Sequence, residues 1–212
     1  MTPTQEALAL ARSDVRPARH LVPGTAEPVR PYRRQGMLLT TGALAWVAAQ
    51  LIVGSLAPSE NGADLVIFGL GSGLFQVGLL GLLTVLYRTQ ALGEGRLARF
   101  LLRAEAVLVS LAIASTAVDA IGVSDLEQTG WAVLDAFWPL SMLGMFLIGI
   151  RIAVAGRWTG RARYWPLFAE SWAVVTIPTL GIAGPTVALI VSSVHLCLGY
   201  AVLGQIVARK EQ

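Results

Sequence analysis

The chain has one cysteine, Cys197, in 212 residues. A disulfide framework and a thiolate metal site within one chain are therefore both excluded. It has two histidines, and His20 lies in the N-terminal tail while His195 lies near the C-terminus. An intramembrane His–His pair for haem is excluded, and a zinc site would need carboxylate help at spacings the sequence does not show. Only 14% of residues are charged, where soluble domains carry about a quarter. Lysine occurs once, at Lys210, so the other fifteen of the sixteen basic residues are arginine. That bias points to a GC-rich coding sequence, and so to a bacterial source. The first 36 residues contain no apolar core of a leader, so a cleaved signal peptide is not expected. No stretch outside the apolar runs is long enough to bury a soluble core, which argues against chemistry on a large soluble substrate.

What remains is apolar: 55% of the residues are hydrophobic. Six runs are each close to the roughly 20 residues that cross a hydrocarbon core. They are Met37–Leu56, Leu65–Tyr87, Phe100–Gly122, Trp131–Ile150, Tyr164–Ala183 and Pro185–Val207. They do not alternate, and lipid admits only helices or closed barrels. The expected fold is an all-α polytopic membrane protein, a bundle of six transmembrane helices over residues 37–208. Residues 1–36 carry six arginines and five prolines and are expected to be a mostly disordered basic tail. Residues 209–212 form a short second tail.

The net charge of +3 would suit a nucleic-acid partner, but its distribution assigns it to topology instead. The first loop holds Glu60 and Asp64 and the third holds Asp125 and Glu127, with no base in either. The second holds Arg88, Arg96 and Arg99, and the fourth holds Arg157, Arg161 and Arg163. By the positive-inside rule both termini are cytoplasmic. An integral protein of a bacterial cytoplasmic membrane is expected. Its partners are the bilayer, anionic lipid at the basic tail, and a second copy or another membrane protein. No cofactor is implied.

Four acids, Arg103 and one histidine lie inside the runs, and Arg151 directly follows the fourth. Such residues are costly in lipid and mark a partner or a task. Glu105, Glu170 and Arg151 form an inner group, expected as an interhelical ion pair or triad joining the third, fourth and fifth helices. Asp119 and Asp135 form an outer group near the short third loop. His195 stands near the midplane, with Ser192 and Gly199 on its side. Asp119, Asp135, His195, Glu105 and Glu170 are thus candidates for a proton or ion path. Gly95-Arg96 precedes Ala104-Glu105 by the interval at which Gly160-Arg161 precedes Ala169-Glu170, a hint of internal duplication. Gly69 and Gly73 offer a small-residue face for close helix packing. Pro139, Pro166 and Pro178 are expected to kink the fourth and fifth helices, with Thr176 and Thr179 near the last of them.

No catalytic motif stands out. Gly71-Ser72-Gly73 with His195 in the last helix is unlike the rhomboid protease pattern. The serine lies in the second helix, and Leu70 stands where that family's Gly-x-Ser-Gly begins. The leading reading is a non-catalytic scaffold, regulatory or assembly component whose buried charges are structural. The alternative is a small proton- or cation-coupled transporter, or a subunit of one, with a polar path through the third to sixth helices.

Overall fold

A computed structural model describes residues 31–57, 62–123 and 127–210. The basic tail to residue 30, with its expected disorder and lipid contact, lies outside these residues, as do Glu60 and Asp125. The described chain is helical, with no strand. The helices are α1 (Arg33–Val53), α2 (Gly62–Arg88), α3 (Arg96–Ala120), α4 (Thr129–Asp135), α5 (Phe137–Ala155), α6 (Arg161–Glu170), α7 (Trp172–Ala183), α8 (Pro185–Leu196) and α9 (Val202–Ala208). A π-helical turn, Cys197–Ala201, joins α8 to α9. Taken together, α4 and α5 make one span, α6 and α7 another, and α8 to α9 the last. Six spans are therefore long and apolar enough to cross a membrane.

Most spans begin earlier than the apolar runs alone indicate. The first starts at Arg33, the third at Arg96 and the fifth at Arg161. Long basic side chains extend along a helix end and keep their heads in water, so charge does not stop a helix there. The fourth span runs past Ile150 to Ala155 and ends on Gly156, whose φ of +64° is the left-handed cap that favours glycine.

The spans close into a ring. Each packs on the next, and the sixth returns to α1. Absent side chains allow the closest approaches. A Cβ on Gly42 would meet the α2 backbone at Leu74–Phe75, and a Cβ on Gly78 would lie 2.9 Å from Leu39 Cα of α1. Gly69 packs on Ala120 of α3, while Gly73 meets only Thr116 at ordinary distance. The small-residue face thus serves packing inside the bundle.

The two ends differ in character. At one, the turn after α2 meets the turn before α6. Arg157 pairs with Glu94, and Trp158 Nε1 donates to Thr89 Oγ1 at 3.0 Å. Lys210 lies over the Trp158 ring, so the end of α9 is at this same basic end. Trp158 is buried there, as is Tyr32. The other end carries the turn after α1 and the turn between α3 and α4. Outward faces are largely apolar: Leu70, Leu143, Leu147, Val154 and Ile182 are all exposed, and so are Phe100 and Phe168. That is the surface a bundle presents to lipid.

The interior is aromatic. Trp46 stacks on Phe75 with ring centres 4.8 Å apart and meets Trp172 at 4.9 Å. Trp138 stands edge-on to Trp46 and Trp172, and Tyr200 edge-on to Phe75. Five spans contribute to this one cluster.

Candidate functional site

Three helix discontinuities position the polar residues. The first is at Ala136. Pro139 has no N–H for the Asp135 carbonyl, and its ring clashes with that carbonyl. The helix therefore breaks after Asp135 and resumes at Phe137. The second is at Ser171, not at either proline of the fifth span: α6 continues through Pro166 and α7 through Pro178. Side chains compete for one carbonyl here. Ser171 Oγ donates to Phe168 O at 2.8 Å, and His195 Nε2 donates to the same oxygen at 2.8 Å. Groups inserted into the i→i−4 ladder kink a helix in this way. Near Pro178, Thr179 Oγ1 bonds Val175 O at 2.7 Å, whereas the carbonyl that Pro178 frees is that of Val174.

The third discontinuity is the π-turn. Widening the ladder releases carbonyls, and neighbouring spans supply donors for them. Trp165 Nε1 donates to Leu198 O and Gly199 O at 3.1 and 3.2 Å, and Thr40 Oγ1 donates to Ala201 O at 3.0 Å. Single π-turns of this kind often sit at functional sites.

Each discontinuity carries a polar residue. Asp135 ends α4, Glu170 ends α6 and Tyr200 lies within the π-turn. Tyr200 is fully buried, and its hydroxyl donates to Glu170 Oε2 at 2.6 Å. Glu170 Oε1 has no hydrogen-bond partner, and Glu105 Oε1 has none either. Both acids are almost wholly buried, at 1% and 3% exposed. Glu105 and Glu170 lie within electrostatic reach of each other, and Tyr200 within reach of both. Gly144 of α5 makes room for Glu105, because any Cβ there would collide with its carboxyl group.

The hint of duplication has a structural counterpart. Gly95 and Gly160 are the N-caps of α3 and α6, and Arg96 and Arg161 are the first helical residues. Glu105 and Glu170 follow nine residues later, about 14 Å along each helix. That depth is greater than the apolar runs alone indicate, because both helices start earlier.

The expected ion pair with Arg151 is not formed. Neither Glu105 nor Glu170 is at ion-pair distance from Arg151, and the pair at the basic end, Arg157–Glu94, is exposed. Arg151 is exposed on α5, one turn from its end. Its guanidinium reaches toward the turn after α2, so that a Cβ on Gly93 would lie 4.0 Å from Nη2. The flexible stem takes the charge to the basic end rather than inward, a usual course for a cation near a span's end.

Asp119 and Asp135 do come together. They are half-buried, lie within electrostatic reach of each other, and line one cavity of about 240 Å³ at the end opposite the arginines. Trp46, Ser72, Ser115 and Trp138 contribute to its walls. Thr116 also lines it and accepts a hydrogen bond from Gln76 Nε2 at 2.8 Å.

His195 does not link the two acid groups. Its ring stacks on Phe168 at 4.8 Å and its Nε2 is used by the Phe168 carbonyl. Ser72 Oγ bonds Phe68 O at 2.8 Å, so Ser72 and His195 do not pair as nucleophile and base. Ser192 accepts from Trp172 Nε1 at 2.9 Å and donates to Gln50 Oε1 at 2.9 Å. Among the described residues no three metal-ligating side chains converge. The sequence reading missed Tyr200, Trp46, Trp138 and Gln50. The one available signal was a tyrosine hydroxyl and a glutamine inside apolar runs, since each needs a partner there.

Comparison with protein-family models, with curated proteins and with solved structures finds no match.

Proposed function

We propose that the chain is a small membrane carrier that moves protons or another monovalent cation, with Glu105, Glu170 and Tyr200 as its central site and Asp119 and Asp135 as its entrance. The observation that carries this reading is the Glu105–Glu170 pair. Two carboxyl groups share the bundle interior with no basic side chain at ion-pair distance. A structural role would call for a countercharge, because an unpaired charge in a low-dielectric interior is costly. A proton or a bound cation supplies that charge, and each can leave again. For this reason the carrier reading is preferred to the scaffold.

The helix breaks favour the same reading. Carriers place ion sites where spans are discontinuous and the backbone lines a cavity. Asp135, Glu170 and Tyr200 are each at such a break. Trp138 stands between the outer cavity and Glu170, lining the spaces that lead to both. Rotation of α4 about Ala136 would move Asp135 and leave Glu170 in place. The orientation that fits is the one with the arginine-rich end and both termini in the cytoplasm, in the cytoplasmic membrane of a bacterium. The reading involves no covalent step and no catalytic residue.

The test is proton flux into liposomes, driven by a potassium diffusion potential and followed with a trapped pH dye. The purified chain should raise flux above that of protein-free liposomes. Flux at the protein-free level, with sodium and potassium gradients equally inert, would overturn the reading.

A further inference from the structure

A second space opens sideways. Between α5 and α7 a groove of about 340 Å³ is walled by Trp138, Met142, Phe146, Val174 and Ile177. This volume lies within the range of small-ligand pockets. Its rim is on the outer face of the bundle, with Val174 53% and Ile177 59% exposed. Glu170 also lines it, and is the one ionisable side chain that does. The walls are otherwise apolar and aromatic. Glu170 is 1% exposed, one of its oxygens holds Tyr200 and the other is unpartnered.

We propose that this groove binds a lipophilic ammonium that enters from the bilayer, its apolar body between the fourth and fifth spans and its charged nitrogen on Glu170 Oε1. Three features select that occupant. The free acceptor belongs to a carboxyl group and no competing cation is nearby, so a positive donor is complementary. Trp138 and Phe146 offer ring faces that attract cations as well as apolar surface. The rim faces the apolar exterior, so the ligand arrives from lipid and needs no polar route. A lipid acyl chain would fill the same walls but would leave Oε1 unpaired. A proton and the ammonium each supply one positive charge to the same carboxylate, so they exclude one another. That exclusion is the coupling a proton–amine exchanger needs. As a statement of substrate class the assignment rests on the carrier reading, whereas binding itself is tested apart from flux.

The full chain in phosphatidylcholine nanodiscs is dialysed against tritiated 4-phenylbutylamine, with empty nanodiscs subtracted and 4-phenylbutanol as neutral competitor. One saturable site per chain is expected, with the alcohol roughly tenfold or more weaker. Glu170→Gln removes the charge, and Val174→Trp fills the rim while leaving Glu170 intact. Each should weaken binding by roughly tenfold or more, with helicity by circular dichroism unchanged. The alcohol competing as well as unlabelled amine would mean an acyl-type groove and overturn the proposal, as would no saturable binding to the wild type. Wild-type affinity in Val174→Trp would place the amine elsewhere and also overturn it. Amine binding without proton flux would keep this site and refute the carrier. Flux without amine binding would do the reverse.

Discussion

Replacing Tyr200 by phenylalanine deletes one oxygen from the centre of the bundle. The hydroxyl is fully buried and donates to Glu170 Oε2 at 2.6 Å. Without it both oxygens of Glu170 lack a partner, since Oε1 has none already. Two bounds set the magnitude. Neutral interhelical hydrogen bonds in membranes average about 0.6 kcal/mol, and bonds to charged groups contribute about 1.5–3 kcal/mol. The ring remains and keeps its edge contact with Phe75, so no cavity term is added. The expected loss is about 1–2 kcal/mol. The assay is reversible unfolding in mixed dodecylmaltoside–SDS micelles. The decisive arm is a double-mutant cycle with Glu170→Met, which removes the acceptor with little change of shape. Replacing both partners by apolar groups is nearly neutral, so Tyr200→Phe should cost about 0–0.5 kcal/mol in that background. Equal costs in both backgrounds, within about 0.5 kcal/mol, would refute the claim that this bond holds the π-turn to α6.

Gly144→Ala should destabilise by about 1–3 kcal/mol, because its methyl group takes the space of the Glu105 carboxyl. Adding Glu105→Asp should recover much of that loss in the same unfolding assay. Arg151→Ala should change stability by no more than about 0.5 kcal/mol, since Arg151 is exposed and pairs with neither acid. A loss several times larger would restore the ion-pair reading.

The number of spans and their two ends were legible in the sequence, whereas exact depth and rotation about each helix axis were not. Run length alone located six spans, and the arginine-free loops grouped the turns into two ends that the fold keeps apart. The interval from Gly95 to Glu105, repeated from Gly160 to Glu170, marks two N-caps and two buried acids at equal depth. Arg151 shows the gap. It lies one turn from the end of α5, whereas Glu105 packs against Gly144, seven residues deeper on the same helix, and α5 buries Met145, Ile148 and Ile152 and leaves Arg151 exposed. A helix apolar around its whole circumference carries no stripe that tells the inner face from the lipid face. His195 failed for the same reason, turned toward the Phe168 carbonyl. Pro139 forecast the break at Ala136 because the cause is local. The break at Ser171 and the π-turn at Tyr200 were not legible, because His195 of the sixth span helps hold the first and Trp165 and Thr40 of other spans hold the second.

The central claim is that the unpaired interior acids carry the transported charge. Its most direct test is proton flux in liposomes reconstituted side by side with wild type, Glu105→Gln, Glu170→Gln and Arg151→Ala. The account predicts wild-type flux in Arg151→Ala and flux at the protein-free level in both glutamine variants, with helicity unchanged. Wild-type flux in Glu170→Gln would contradict it.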